Sequence, residues 1–155
     1  IYDTKPWHDV CRSIRRVEIE KGKMMESRGT PPDREPAIRM IAMPADANPS
    51  GDIFGGYIMS LMDMAGGAAA FEFAGGRVVT AGVKEIAFLV PVSVGDQVSC
   101  YAKIIGTGRS SIVTRVETWV RRREGGRQVK VTDGEFTFVK VGSDQRPVPL
   151  PESDT

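Results

Sequence analysis

Residues 55–73 read GGYIMSLMDMAGGAAAFEF, and this stretch decides the fold that we expect for the chain. Its residues are apolar on nearly every side of a helical projection, which is typical of a helix that is buried all round. The pair Gly75 and Gly76 follows closely and predicts where the helix ends. A helix of this length measures roughly 30 Å.

The apolar run over residues 53–73 is also long enough to invite a membrane-spanning interpretation. We reject that interpretation because Asp63 lies in the middle of the run, and an acid at the centre of a bilayer costs roughly 2.5–3.5 kcal/mol on insertion scales. The glycine pair at residues 66–67 interrupts the run as well. The chain is therefore expected to fold in water around this helix.

Strand-like segments lie on both sides of the helix in the sequence. A short alternating segment begins near residue 38 and ends at Pro44, and four longer alternating segments follow between residues 79 and 138. Strands of about nine or ten residues span roughly 30 Å, which is also the length of the helix. We therefore predict an α+β fold in which an antiparallel β-sheet wraps around one long central helix.

Two β-bulges are expected in this sheet, and one side of the helix is expected to be left uncovered by it. The apolar alternation slips by one residue near residues 84–85 and again near residues 133–134, which predicts a β-bulge at each place. A single sheet of this size cannot cover every side of so apolar a helix. We therefore expect a homodimer, in which a second copy of the chain covers the remainder.

Composition and charge exclude several classes of function. The chain has 155 residues, of which 41% are hydrophobic and 26% are charged, and this fits one globular domain. Its formal net charge of +1 argues against a dedicated nucleic-acid-binding protein. The single histidine, His8, lies near the N-terminus, which excludes a histidine-based catalytic scheme in the core and a histidine-built metal site. Acid–base chemistry must then come from a carboxylate, a lysine, a tyrosine or a backbone dipole.

The cysteines and the first residues bear on the cellular compartment. Cys11 and Cys100 lie far apart without a partner motif, so we expect reduced thiols and no disulfide. The first ten residues, IYDTKPWHDV, contain acids and a proline where a secretory signal would need an apolar stretch. Both observations lead us to expect a cytoplasmic protein.

Three segments are expected along the chain: an N-terminal extension and linker over residues 1–36, a core domain over residues 37–151 and a tail over residues 152–155. Apolar residues recur at helical spacing between residues 7 and 17, with arginines between them. We interpret this as a short helix that packs on the domain or on a neighbouring subunit. Acidic residues dilute its positive face, which disfavours a helix at a membrane surface.

Three runs of the sequence are similar to a known family. They are IAMPADANPSGDIFGGYIMSLMDMAGG at residues 41–67, GRVVTAGVKEIAFLVPVSVGD at residues 76–96 and GRSSIVTRVETWV at residues 108–120. Together they resemble the YciA-type acyl-CoA thioesterases of the hotdog superfamily, from about residue 39 to about residue 151. The resemblance implies hydrolysis of acyl-CoA to a free acid and coenzyme A, at an active site on a dimer interface. It also implies that dimers assemble further, with a trimer of dimers as the expected hexamer, and that no metal or separate cofactor is used.

The resemblance assigns the catalytic groups. Asp63 falls on the family's catalytic acid, either as general base on a water or as a nucleophile that forms an anhydride, and the sequence leaves both open. Gly55 and Gly56 open the helix, where free amides and the positive end of the dipole meet, so we expect an oxyanion hole with Gly56 as its main donor. Asn48 matches an asparagine that faces the acid of the partner subunit and orients water. Ser50 departs from the family, because many members have a further asparagine there.

Each of these assignments has a structural alternative. An aspartate in an apolar helix can be satisfied by backbone amides of a neighbouring loop, and a glycine pair can serve only the geometry of a helix start. Asn48 can be present for its turn conformation, and Asp52 is a candidate either to cap the helix or to brace the loop. It is the family match that favours the catalytic interpretation.

The resemblance also assigns the coenzyme A channel and leaves the acyl specificity open. The residues that match segments lining the channel are Arg77, Gly108, Arg109, Ser110 and Ser111. Without that match, a solvated hairpin is the better interpretation of residues 108–111. The basic run at residues 121–123 favours a solvated strand end over a phosphate site, and a contact with the 3′-phosphate from the partner subunit is its alternative. The acyl chain length is expected to depend on the depth of a tunnel beside the helix. Residues expected to set that depth are Tyr57, Met62, Met64 and Phe88.

The sequence bears on two other functions for this fold. A hotdog dehydratase typically needs a histidine with an acid, and the core domain has no histidine. A non-catalytic acyl-CoA-binding regulatory module is the remaining alternative, and it would bind acyl-CoA without releasing a thiol.

Overall fold

The structure, a computed structural model, describes residues 29–152. The helix expected between residues 7 and 17 lies outside the described residues. The elements in chain order are β1 (Ile38–Ile41), a 3-10 turn (Pro44–Asp46), α1 (Gly55–Ala74), β2 (Val78–Phe88), β3 (Gln97–Thr107), β4 (Ser111–Arg121) and β5 (Gln128–Lys140).

The strands form one antiparallel sheet of five strands in the order β1-β3-β4-β5-β2, and α1 packs on one face of it. The α+β prediction of a sheet around one long helix is confirmed. The core lies between the two layers. Its largest fully buried apolar side chains are Ile58, Leu61, Met62, Val98, Ile112, Val116, Val120, Val131, Phe136 and Phe138.

The helix has the limits that the glycines predict. It ends at Ala74, and Gly75 caps it in the left-handed conformation with φ of 61°. Gly66 brings the helix close to the sheet, because a Cβ atom there would lie 2.7 Å from Thr114 Oγ1 and 3.1 Å from the ring of Phe138. The glycine pair that interrupts the apolar run is therefore a contact point between the two layers.

One of the two predicted bulges is confirmed and the other is misplaced. The register of β2 slips between Lys84 and Ala87, where Glu85 has φ of 57°. In β5 the slip lies beside Val131, opposite Thr118–Trp119, and pairing with β4 is continuous through Asp133–Gly134. Gly134 has a different purpose: a Cβ there would lie 2.5 Å from Ile86 Cγ1, so the glycine admits the side chain of the β2 bulge.

One side of the helix is uncovered within one chain, as expected for a single sheet of this size. Met64 is 53% exposed and Phe71 is 57% exposed on this side. Next to this face, β2 forms one edge of the sheet. Within residues 29–152, no helix combines the length and the apolar character that a membrane crossing requires.

Candidate active site

The loop before α1 is shaped by the side chain of Asn48. Its Oδ1 accepts hydrogen bonds from the amides of Ser50 at 2.9 Å and Asp52 at 3.2 Å, and its own amide donates to the carbonyl oxygen of Asp52 at 2.6 Å. Asn48 therefore has the turn role that the sequence offers as an alternative. Its Nδ2 group makes no hydrogen bond to residues 29–152, so that group is the one it can offer to a ligand.

The first two amides of α1 are free. Neither Gly55 nor Gly56 donates its amide to an acceptor within the described part of the chain, and Gly56 is exposed. Phe54 is the N-cap residue and no side chain caps the helix, so the interpretation of Asp52 as a cap is wrong. Two unpaired N–H groups at the positive end of a helix form a site for a developing negative charge on oxygen.

Asp63 lies about two turns further along the helix and is half-buried. The hydroxyl of Thr80, on β2, donates a hydrogen bond to its Oδ1 at 2.7 Å. The other carboxylate oxygen, Oδ2, has no hydrogen-bonding partner among residues 29–152. The group that hydrogen-bonds to this carboxylate is thus a hydroxyl on a strand rather than the amides of a loop. It leaves one carboxylate oxygen available for chemistry.

Thr80 is the site residue that sequence reasoning missed. The sequence offers one indication of this role: Thr80 is the polar residue of the triplet Val79–Thr80–Ala81, in a strand that follows the candidate acid. Its contact with Asp63 depends on how β2 returns past the helix.

The acid and the free amides of one chain are too far apart to act on the same carbonyl group. Gly56 and Asp63 are seven residues apart, which places them on nearly the same helical face but about 10 Å apart along the axis. A reacting carbonyl needs both groups within about 3–3.5 Å. The two groups of one chain therefore cannot meet at the same carbonyl group.

A cavity of about 100 Å³ lies beside the first turn of α1. Its lining residues are Asn48, Asp52, Ile53, Gly55, Ile58, Phe88, Val90, Pro91 and Val92. Of the four residues expected to set the acyl length, Phe88 alone lines this cavity. Met62 is fully buried in the core, and Met64 is exposed on the uncovered face.

The predicted coenzyme A residues meet at the other end of the helix. The end of β5 joins them, because its last residue, Lys140, donates its amide to the carbonyl oxygen of Ser110. The next residue, Val141, donates its amide to the carbonyl oxygen of Arg77. The side chains of Arg77 and Arg109 are exposed there.

The same hairpin has a tight turn. Gly108 donates its amide to the carbonyl oxygen of Ser111 at 2.8 Å, and a Cβ atom at Gly108 would lie 2.5 Å from Ser111 Oγ. Arg77 and residues 108–111 therefore lie roughly 30 Å from Gly55 along the helix axis, and they lie closer to Asp63 than to Gly55.

Other reactive groups are not placed for chemistry. Burial raises the pKa of the Cys100 thiol to about 11, against a weaker opposing effect of its hydrogen bond with Thr118. Cys100 is a free, buried cysteine, and Cys11 lies outside the described residues. Between residues 29 and 152, no three histidine, cysteine, aspartate or glutamate side chains cluster in a way that could hold a metal ion.

The chain is similar in sequence to known thioesterases. A family model described as the thioesterase superfamily matches residues 50–127. The acyl-CoA thioester hydrolase YciA of Salmonella typhimurium is 46% identical over 123 residues, which are 77% of this chain and 92% of that protein.

Solved structures agree with the sequence comparison. The hexameric thioesterase y2039 from Yersinia pestis is 48% identical with a TM-score of 0.75, over 79% of this chain and 99% of that one. HI0827, a hexameric broad-specificity acyl-coenzyme A thioesterase, is 44% identical with a TM-score of 0.77, over 84% of this chain and 90% of that one.

Proposed function

Since the chain belongs to the thioesterase superfamily, with its hotdog fold, we propose that it is an acyl-CoA thioesterase that releases a free carboxylic acid and coenzyme A. The observation that carries the proposal is that one helix presents both a half-buried carboxylate, Asp63, and the free amides of Gly55 and Gly56. This chemistry uses neither a metal nor a cofactor, and coenzyme A takes part only within the substrate and the product.

The amides polarise the thioester and the acid supplies the nucleophile. The carbonyl oxygen accepts a hydrogen bond from the amide of Gly56, which stabilises the negative charge of the tetrahedral intermediate. Oδ2 of Asp63 removes a proton from a water molecule, whose oxygen attacks the carbonyl carbon. When the C–S bond breaks, the proton passes from the carboxyl group to the departing thiolate.

In the nucleophilic route, Asp63 rather than water forms the new bond to the carbonyl carbon. In that route Oδ2 of Asp63 attacks the carbonyl carbon itself, coenzyme A leaves as thiolate, and water then hydrolyses the resulting anhydride. Hydrolysis in labelled water under single-turnover conditions can reveal the anhydride, because label enters the carboxylate of Asp63 only when water attacks the aspartyl carbonyl of that intermediate.

A homodimer completes the site. If two copies of α1 lie side by side and antiparallel on their uncovered faces, Gly56 of one protomer comes close to Asp63 of the partner subunit. The same arrangement buries the exposed side chains of Met64 and Phe71. Asn48 then faces the carboxylate across the interface with its Nδ2 group, and the dimers associate as a trimer of dimers.

The far end of the helix receives the coenzyme. The exposed guanidinium groups of Arg77 and Arg109, with the hydroxyls and amides of residues 108–111, suit the phosphates of coenzyme A. The pantetheine arm then runs along the helix toward Asp63. We assign the protein to the cytoplasm, where its acyl-CoA substrates and reduced thiols are found.

Thiol release from a panel of acyl-CoA substrates tests this function. Hydrolysis by the purified chain, together with its loss in Asp63→Asn, supports the thioesterase. Binding of acyl-CoA without any thiol release overturns it in favour of the regulatory module.

A further inference from the structure

The cavity beside the helix N-terminus has the character of a binding site for a small apolar group. Most of its wall is apolar, from Ile53 and Ile58 on one side to Val90 and Val92 on the other. Asn48 contributes polar atoms. An apolar pocket with few polar groups is the usual form of a small-ligand site.

The cavity is continuous with the free amides. Gly55 is both one of the two unpaired donors and part of the cavity wall. The ring of Phe88 packs directly on Gly55, since a Cβ atom there would lie 3.3 Å from two of its ring carbons. An acyl group whose carbonyl oxygen rests on these amides therefore has this cavity at its side.

We propose that the cavity holds the acyl chain of the substrate and that Phe88 limits this chain to about four to six carbon atoms. The proposal rests on the proposed function for the location of the carbonyl group. The volume of the cavity, about 100 Å³, is smaller than the ~150 Å³ of an engineered apolar cavity that accommodates benzene, a molecule of six carbons. A longer chain has to leave the cavity or displace its wall.

The rest of the wall is held in place. The amide of Ile53 donates to the carbonyl oxygen of Val92 at 2.8 Å, and Asp52 pairs with Ser93 in the same short bridge. The loop after Val92 is tied in turn by Asp96, which accepts from the amide of Ser93 at 3.0 Å. The ring of Phe88 takes no part in these bonds, so a substitution there can open the wall without breaking them.

The test is the chain-length profile of kcat/KM over straight-chain acyl-CoA substrates from acetyl to dodecanoyl. For the wild type we expect a rise of about fourfold per methylene group up to butyryl or hexanoyl, from burial of each methylene, and a fall beyond it. In Phe88→Ala the optimum moves to chains at least two carbons longer, and in Phe88→Leu it moves by less. Ile105→Ala, on the exposed opposite face of the sheet, keeps the wild-type profile.

Binding separates failure of this proposal from failure of the proposed function. Dissociation constants of S-alkyl thioethers of coenzyme A, which cannot be hydrolysed, are measured for the wild type and for both Phe88 variants. A dissociation constant that is lowest near S-butyl and shifts to longer alkyl groups in Phe88→Ala supports the cavity assignment even if no thioester is hydrolysed. An unchanged optimum in folded Phe88→Ala and Phe88→Leu, in turnover and in thioether binding, overturns it.

Discussion

The hydroxyl of Thr80 donates a hydrogen bond to Oδ1 of Asp63 over 2.7 Å, from the strand that follows the helix. This bond restrains the carboxylate and occupies one of its oxygens, which leaves Oδ2 for the proposed chemistry. Thr80 is therefore a positioning residue for the proposed chemistry.

Replacing Thr80 with alanine is expected to lower kcat by about 10-fold to 100-fold, since hydrogen bonds to charged groups contribute roughly 1.5–3 kcal/mol. KM should change little, because Thr80 acts through Asp63. Steady-state thiol release measures both constants. Thr80→Ser retains the hydroxyl and should recover most of the activity, and a fall of equal size in Thr80→Ser would show that the hydroxyl is not the relevant group.

Gly56→Ala tests the approach of the thioester to the helix amide. The added methyl group meets no atom within 4 Å, so the fold should be retained while the new group obstructs the substrate. We expect kcat/KM to fall by about 100-fold, near the cost of losing one oxyanion donor. Gly106→Ala, which also points into open space, is the matched control. Full turnover in a folded Gly56→Ala would show that the amide does not contact the carbonyl.

The ion pair of Asp96 with Arg122 is expected to stabilise the fold. Asp96 is only 2% exposed, and its Oδ2 lies 2.5 Å from Nη1 of Arg122, so the pair links the turn before β3 to the β4–β5 hairpin. Arg122→Met should lower the free energy of unfolding by about 3 kcal/mol, the cost of leaving a buried charge without its partner.

Urea unfolding measures that loss, and a second arginine supplies the control. Arg146 and Asp144 form an exposed pair at 3.9 Å, for which Arg146→Met should cost less than about 0.5 kcal/mol. Equal losses in the Arg122 and Arg146 variants would contradict the assignment.

Stability at alkaline pH should report the buried thiol of Cys100. Burial raises the pKa of this thiol from 9.0 to about 11, so the folded chain retains a proton that the unfolded chain loses. Its contribution is complete below pH ~9 and is lost as the pH rises through about 11, by up to roughly 2–3 kcal/mol.

Comparison of Cys11→Ser with Cys11→Ser/Cys100→Ala isolates that contribution from other groups that titrate in the same range. The free energy of unfolding should fall more steeply between pH ~9 and ~11 in the variant that retains Cys100. Parallel curves would show that the thiol titrates normally in the folded chain.

Much of the fold follows from local sequence, and the contacts of the site do not. The helix limits are marked by Gly55 and Gly75, and the slip at Glu85 is marked by the change of alternation. The bond of Thr80 to Asp63 and the packing of Phe88 on Gly55 join residues that the return of a long strand brings together. No spacing rule predicts such a contact.

Two errors have the same physical origin. The change in the alternation of apolar residues near Gly134 predicts a bulge there, whereas Gly134 makes room for the side chain of Ile86 from the neighbouring strand. Asp52 was a candidate cap by its residue type, but its amide is held by Asn48 and the helix begins after Phe54. In both cases a partner from outside the local segment decides what the residue does.

Asp63→Asn, assayed by thiol release from butyryl-CoA, tests the central claim most directly. The substitution keeps the size of the side chain and removes the charge, so folding and assembly should be retained. We predict a loss of kcat of about 10²-fold to 10⁴-fold, as for removal of a positioned general base. A loss of less than about tenfold in the folded variant would contradict the assignment of Asp63 as the catalytic carboxylate.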